Sequence, residues 1–330
     1  MTVIRISSGK NFDSVEGESI LNAALRTGVV FPYSCRNGRC GTCKGRLVSG
    51  STTILQDELG LSARESRDGW ILTCARSAMS AVQLEIEDLS QFQLFAAKTL
   101  PCRIQRLVFI GDDVLRVFLR LPPAAKFEFY PGQYVDIIGH EGVRRSYSIA
   151  NVPQGEMTLE LHVQRVPGGA MSEYWFEKAK TGDLLRLYGP LGTFLLREVQ
   201  GLDLVFLATG TGIAPVKAIL EGLAQNVQPK PRSVTVYWGG RARGDLYWDV
   251  SIEGLTHDYI PVLSRADSQW PGARGYVQHA FLSDARELEH AVVYACGSNA
   301  MIQDARETLL AAGLQGRRFF SDAFLPSGSI

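Results

Sequence analysis

The sequence has no net charge, no apolar run long enough to span a membrane, no internal repeat, no low-complexity tract and only five histidines. Thirty-four Lys and Arg balance 34 Asp and Glu, so nothing electrostatic argues for a nucleic-acid or membrane-surface partner. The missing apolar run excludes a spanning helix, and the opening MTVIRISSGKNF lacks the basic-then-apolar layout of a signal peptide. Together these predict a cytoplasmic protein with neither nucleic acid nor membrane as partner. No Ser-His-Asp, metal-hydrolase or paired-carboxylate constellation stands out, which leaves hydrolytic chemistry without support. The six cysteines do not make a disulfide scaffold, because Cys102 and Cys296 lie far apart in apolar surroundings and the other four obey a spacing of their own. An ordinary apolar and charged content over 330 residues leaves room for two or three globular domains.

That spacing is Cys35-x4-Cys40-x2-Cys43, inside PYSCRNGRCGTC, with Cys74 one long segment later. It is the plant-type ferredoxin spacing for a [2Fe-2S] cluster and predicts single-electron transfer. Three thiolates on one short loop can surround a cluster only where the backbone turns sharply, which Gly38 and Gly41 permit. Zinc is the alternative for such thiols. It favours two Cys-x2-Cys hooks, and one is present.

The chain reads as three segments: a ferredoxin-like α+β (β-grasp) domain at 1–92, a linker at 93–100, an antiparallel β-barrel at 101–199 and an α/β parallel-sheet nucleotide domain at 200–330. In the first, VIRISS and NFDSV form a hairpin around Ser8 and Gly9. A helix follows, with Ser19 as its N-cap, Ile20, Ala23, Ala24 and Thr27 on one face, and Gly28 ending it. KGRLVSG, ILTCARS and the alternating VQLEIE complete the unit. The second segment holds six short extended runs parted by Gly, Pro and Asp, from CRIQRLVFI to LLRLYGP, as a small barrel requires. The third alternates strand and helix (LVFLATG, APVKAILEGLAQ, SVTVYWG, YIPVLS, VVYACGS, NAMIQDARETLLAAG), which predicts nucleotide at the carboxyl edge of a parallel sheet.

Two elements of the barrel segment suit a flavin dinucleotide. In Arg145-Ser146-Tyr147-Ser148 an arginine fork suits pyrophosphate, and an aromatic ring beside a hydroxyl suits the face and edge of an isoalloxazine. The same residues could equally form a solvated strand. In VQRVPGGAMSEYW, Gly168 and Gly169 allow a tight turn, and a helix starting near Met171 would offer amides and the Ser172 hydroxyl to phosphate. In the third segment LATGTGIAP, at 207–215, follows a buried-type strand and precedes a helix, as a phosphate-binding turn must. It departs from Gly-x-Gly-x-x-Gly, with proline at the last position.

These residues resemble the ferredoxin-NADP reductase superfamily, whose flavin domain carries Arg-x-Tyr-Ser (Arg145, Tyr147, Ser148) and a later Gly-x-x-Ser turn (Gly169, Ser172). Its nucleotide domain carries Gly-Thr-Gly-x-Ala-Pro and a later Cys-Gly strand end, matched here by YACGS. The resemblance implies FAD against Arg145, Ser146, Tyr147, Ser148, His162, Val163, Gly169, Ala170, Met171 and Ser172. It implies a nicotinamide nucleotide against Thr209, Gly210, Thr211, Gly212, Arg241, Cys296 and Gly297. Tyr147, Ser148, Cys296 and Asp322 would then lie at the reacting rings, with FFSDAFLP and its Phe324 beside the flavin. His162 would pack against or hydrogen-bond the flavin. Without the resemblance, Cys296 reads as a small apolar strand residue. Arg241, Arg243 and Ser264-Arg265 are the groups that could grip a 2′-phosphate, or else ordinary loop residues, so NADH is the expected donor and NADPH stays open.

The implied activity is an NAD(P)H-dependent reductase with FAD and [2Fe-2S], feeding an electron-accepting enzyme and able to act as a monomer. Two groups share this domain order: reductases of ring-hydroxylating dioxygenases and monooxygenases, which serve a Rieske or di-iron oxygenase, and CDP-6-deoxy-glucoseen reductases, which serve a pyridoxamine-phosphate dehydrase. KTLPCRIQRLVFIGDDVLRVFLRLPPAAK, RRSYSIAN, GTGIAPVKAIL and FFSDAFLPS favour the second group. A non-catalytic flavin-binding or scaffold protein would predict a missing ligand or loop, and none is missing; a flavin reductase with a vestigial ferredoxin would keep its physiological activity in Cys40→Ser. Arg36, Arg39, Lys44 and Arg46 around the cysteine loop are either a patch that steers an acidic acceptor or plain solvated charge.

Overall fold

A computed structural model describes residues 1–110, 113–139, 142–153, 157–225, 230–284 and 287–324. They form two compact units: Met1–Phe95 with Gly192–Phe194, and the remainder.

In the first unit the alternation of TVIRI turns Ile4 and Ile6 inward from β1 (Thr2–Ile6), which pairs antiparallel with β2 (Asn11–Ser14). Ser19 caps α1 (Ile20–Arg26) by accepting from the Asn22 amide at 3.2 Å, and Gly28 follows at φ +80°. The buried face of α1 is Ile20, Leu21, Ala23 and Ala24. Thr27 is exposed, contrary to the expected face, because it is the C-cap and its hydroxyl donates to the carbonyls of Ala23 and Ala24. Then come β3 (Lys44–Ser49), β4 (Thr52–Ile54), α2 (Ala63–Arg67), β5 (Trp70–Leu72), β6 (Arg76–Ala78) and β7 (Val82–Glu85). The main sheet has the order β2-β1-β7-β3-β5, with β1 and β7 parallel and the other pairs antiparallel. Its core joins Ile4, Leu21, Phe31, Leu72 and Leu84, each fully buried and worth roughly 1.5–3 kcal/mol for an aliphatic side chain.

In the second unit all six expected β runs appear: β8 (Lys98–Ile110), β9 (Val114–Arg120), β10 (Tyr134–Ile138), β11 (Arg144–Ser148), β12 (Thr158–Gln164) and β13 (Leu184–Leu191). They form one antiparallel sheet, β11-β10-β13-β8-β9-β12, and a bridge between Ile149 and Leu161 joins its two ends, closing the barrel. β8 begins inside the stretch read as linker, since Lys98, Thr99 and Leu100 pair with Gly189, Tyr188 and Leu187. A short helix α3 (Ala170–Glu173) widens into a π turn to Lys178 that plants Trp175 in the barrel core, fully buried.

The nucleotide segment holds β14 (Asp203–Thr209), α4 (Ile213–Gln225), β15 (Ser233–Gly240), β16 (Asp258–Leu263), β17 (Ala273–Arg274), α5 (Val277–Ser283), β18 (Ala291–Ser298), α6 (Asn299–Ala311) and β19 (Phe319–Phe324). The sheet order is β17-β16-β15-β14-β18-β19, parallel throughout. Its middle strands are buried almost end to end, as expected of a parallel sheet covered on both faces. β17, α5 and β19 add to the expected pattern. The order of strands brings Thr209, Gly239, Cys296 to Ser298 and Asp322 to Phe324 to one edge of the sheet, in register.

Candidate functional site

The cysteine loop of the first unit has almost no regular secondary structure and is held by backbone geometry. Arg36, Gly38 and Gly41 take φ of +59°, +76° and +75°. Gly38 has no room for a side chain: an added Cβ would lie 3.2 Å from the Asp57 carbonyl carbon and closer still to its oxygen. The carbonyl of Gly38 accepts from the Gly60 amide at 2.8 Å, so segment 57–60 clamps the loop from outside. The Cys40 amide donates to Cys35 Sγ at 3.3 Å and the Thr42 amide to Cys40 Sγ at 3.5 Å, as amides do around thiolates bound to metal. Thr73 donates both N–H and O–H to the Cys43 carbonyl at 3.1 Å, which ties Cys74, on the turn between β5 and β6, to the loop.

The four sulfurs fall into two pairs. Cys35 is pulled down by its hydrogen bond with Cys40 and Cys74 by that with Cys43, while Cys40 and Cys43 are pushed up. Four thiols on one loop and the neighbouring turn, with backbone N–H groups donating to Cys35 and Cys40, fit a [2Fe-2S] cluster. Gln56, for which the sequence held no signal, donates to the carbonyls of Arg36 and Cys74 at 3.2 and 3.1 Å. The expected basic patch is smaller than four charges, because Lys44 is paired with Glu65 at 2.6 Å and only 13% exposed.

On β11 the strand period separates the predicted flavin residues. Arg145 and Tyr147 share one face; Ser146 faces the other way and donates to Asp136, which also pairs with Arg144 at 2.7 Å. Tyr147 is half-buried, with its ring at 84° to Trp175 and its hydroxyl accepting from Trp175 Nε1 at 2.9 Å; burial pushes it up to about 12, so it stays a neutral phenol. Arg145 spends one nitrogen on the Arg144 carbonyl and keeps other donors for a ligand. Ser148 is buried where β11 meets β12. Ser172 is buried and accepts from the Val166 amide at 2.7 Å, so its hydroxyl pins the Gly168-Gly169 turn that leads into Ala170 and Met171. Val163 is buried. Half-buried aromatic, arginine donors and glycine turn fit a flavin dinucleotide.

Both ring nitrogens of His162 are occupied within the protein. Nε2 lies 2.9 Å from Glu160 and Nδ1 2.9 Å from the Tyr247 hydroxyl. Burial favours the neutral imidazole. Burial would also raise Glu160, but the hydrogen bond from His162, with Lys217 and Arg116, outweighs it and holds the carboxyl down at about 2. What His162 has left to offer a flavin is packing rather than a hydrogen bond.

In the nucleotide segment Thr209 ends β14, Gly210–Gly212 form one 3-10 turn, and α4 begins at Ile213. Gly210 has φ +53°, and at Gly212 an added Cβ would lie 2.6 Å from Cys296 C and 2.9 Å from Gly297 N. Gly297, at φ +149°, is pressed against Thr209 in the same way. The two glycine turns lock together at the sheet edge, which brings the predicted Thr209–Gly212 and Cys296–Gly297 groups side by side. Cys296 is fully buried, and burial, reinforced by Asp322 on β19, pushes its thiol well up. Phe324 is half-buried and ends the described chain; Leu325 and Pro326 lie outside the described residues. Arg241 follows the end of β15, where Asp245 accepts from its amide and lies 3.4 Å from its Nε. Arg243 stacks on Trp270 and donates to the Gln269 carbonyl.

Sequence reasoning missed Lys217, Glu160 and Tyr247. A signal existed for the first: one lysine on an otherwise apolar helix, with Glu221 four residues on, marks a buried pair.

Three family profiles match: "2Fe-2S iron-sulfur cluster binding domain" over residues 4–78, "Oxidoreductase FAD-binding domain" over 101–195 and "Oxidoreductase NAD-binding domain" over 206–307. The chain is 43% identical over 324 residues, 97% of both chains, to the CDP-6-deoxy-L-threo-D-glycero-4-hexulose-3-dehydrase reductase of Yersinia pestis. It is 33% identical over 333 residues, 98% of this chain and 93% of the other, to the electron transfer component of the xylene/toluene monooxygenase of Pseudomonas putida. Among solved structures, an Amycolatopsis cytochrome P450 reductase matches with TM-score 0.76 and 30% identity, covering 99% of this chain and all of that one. No helix among the described residues is long and apolar enough to cross a membrane. Fold, profiles and full-length relatives agree that the chain belongs to the iron–sulfur flavoprotein reductases, oxidoreductases that carry electrons from NAD(P)H through FAD and a [2Fe-2S] cluster.

Proposed function

We propose that the chain takes hydride from NADH and delivers single electrons to a cytoplasmic pyridoxamine-phosphate-dependent dehydrase acting on a nucleotide-linked deoxysugar, itself working as a monomer. The observation that carries this is the 43% identity over 97% of both chains with the Yersinia dehydrase reductase, against 33% for the monooxygenase component. FAD supplies the conversion of a hydride pair into single electrons and the cluster a one-electron exit. In this reading the domains are 1–92, 101–199 and 200–330. Cys35, Cys40, Cys43 and Cys74 hold the cluster. Arg145 holds the pyrophosphate, and Gly169 to Ser172 offer backbone amides to it. Tyr147, braced by Trp175, lies against the isoalloxazine, and Ser148 faces its edge. Thr209 to Gly212 hold the nicotinamide nucleotide, while Cys296, Gly297, Asp322 and Phe324 wall the rings and exclude water.

NADH is favoured over NADPH because two of the arginines that would grip a 2′-phosphate are engaged: Arg241 beside Asp245, a like charge to phosphate, and Arg243 on Trp270. The test is anaerobic transfer from the NADH-reduced protein to the dehydrase-bound substrate intermediate and, separately, to a Rieske component. Fast transfer to the first supports the reading; transfer to the second alone replaces it with an oxygenase reductase. Equal reduction rates with NADPH would refute the coenzyme assignment.

A further inference from the structure

Strand β12 of the barrel turns Glu160, His162 and Gln164 to one face. Each of the three meets the nucleotide segment. Glu160 pairs with Lys217 of α4 at 3.1 Å; His162 meets Tyr247; and Gln164 Oε1 is the nearest atom, at 3.1 Å, to a Cβ placed on Gly210. The middle contact continues inward. The Tyr247 ring stands edge-on to Trp238, with centroids 5.1 Å apart at 89°, and Trp238 Nε1 donates to the Gly210 carbonyl at 3.0 Å.

Every proton in this series has an assigned place. Glu160 is ionised, so His162 donates from Nε2 and its neutral ring accepts at Nδ1 from the Tyr247 hydroxyl. The Gly210 carbonyl accepts from both Trp238 and the Ile213 amide, which uses both its lone pairs. In a trans peptide the N–H lies opposite the C=O, so holding the Gly210 carbonyl inward turns the Thr211 N–H the other way, toward the side of the turn where a phosphate would sit. Only a residue that accepts φ near +53° can make that bend, and Gly210 does.

We propose that His162, Tyr247 and Trp238 are positioning residues: a relay that fixes the orientation of the Gly210–Thr211 peptide relative to strand β12, and with it the affinity for the nicotinamide nucleotide. The inference rests on the reading that this turn holds the nucleotide. Plain packing would be served as well by three apolar side chains. A polar series satisfied link by link instead selects one orientation of the peptide at its end.

The test uses the holoenzyme with Tyr247→Phe, which keeps the ring and loses one hydrogen bond, Trp238→Phe, which loses the other together with part of the indole, and the double variant. Calorimetric titration with NAD⁺ on the oxidised protein and stopped-flow reduction by NADH are read beside thermal melting. Each single variant should raise Kd and KM roughly twofold to tenfold, the weight of one hydrogen bond, with little change in flavin reduction at saturating NADH. The double variant should be no worse than the stronger single one, since both cut the same relay. Unchanged Kd in both single variants, or additive losses accompanied by a lower melting temperature, overturns the relay. Gly210→Ala separates the two levels: if it raises Kd while the ring variants do not, the relay alone fails; if it too leaves Kd unchanged, the turn is not the nucleotide site.

Discussion

Lys217→Met is the perturbation whose magnitude the structure defines best. The Lys217 ammonium is buried and donates to the Ala150 carbonyl at 2.9 Å, Glu160 at 3.1 Å and Glu221 at 2.6 Å, so all three of its protons are used. Methionine fills nearly the same volume and removes the charge. Glu160 would keep Arg116 at 2.7 Å and His162 at 2.9 Å, but Glu221 would keep only the Val152 amide at 3.1 Å. Removing one partner from a buried pair costs about 3–5 kcal/mol, because the remaining charge stays desolvated. At roughly 2–4 °C per kcal/mol for a unit of this size, the second unit should melt about 6–20 °C lower, followed by release of flavin fluorescence. Glu221→Gln in the Lys217→Met background should recover part of that loss, since the uncompensated carboxylate is what destabilises. A drop below about 2 °C, or a double variant worse than the sum of the singles, would refute the reasoning.

Cys74→Ser should remove the visible and paramagnetic signature of the cluster and block delivery to a protein acceptor, while NADH-driven ferricyanide reduction persists; loss of both would mean the flavin does not work independently. Gly212→Ala should weaken nucleotide binding and lower the melting temperature together, because the new methyl must push β18 away at Cys296 and Gly297; binding calorimetry and melting read both. Glu160 has a folded pKa depressed to about 2, so its share of stability is present above the ordinary carboxylate range and is lost as pH falls from about 4.5 toward 2. Acid unfolding of the second unit should shift less with pH in Glu160→Gln than in the parent, and identical pH profiles would contradict the assignment.

What was legible in the sequence was local. Ser19 and Gly28 mark a helix by short-range capping chemistry, and the cysteine spacing describes a loop within a few residues of itself. Six alternating runs make a barrel because each run needs only its own period to show. Long-range pairings left no such mark. Glu160 and Lys217 stand 57 residues apart, and each looks like an ordinary charge until the fold buries both. Tyr247 lies on an irregular segment, and Gln56 reaches Cys74 across 18 residues. FFSDAF carries no alternation, and as the edge strand β19 has a mixed burial pattern, so no period marked it in the sequence. Thr27 shows the reverse case: its spacing fitted the buried face, but a hydroxyl at a helix end is better used on the last carbonyls.

The measurement closest to the central claim is an anaerobic titration of the intact protein with NADH, following flavin absorbance and cluster paramagnetism in one sample. The account predicts that NADH bleaches the flavin and raises a [2Fe-2S] signal, that the signal is abolished in Cys74→Ser while bleaching remains, and that protein stripped of flavin shows neither. A cluster that NADH reduces without flavin, or a flavin that bleaches fully in the intact protein while the cluster stays oxidised, would contradict it.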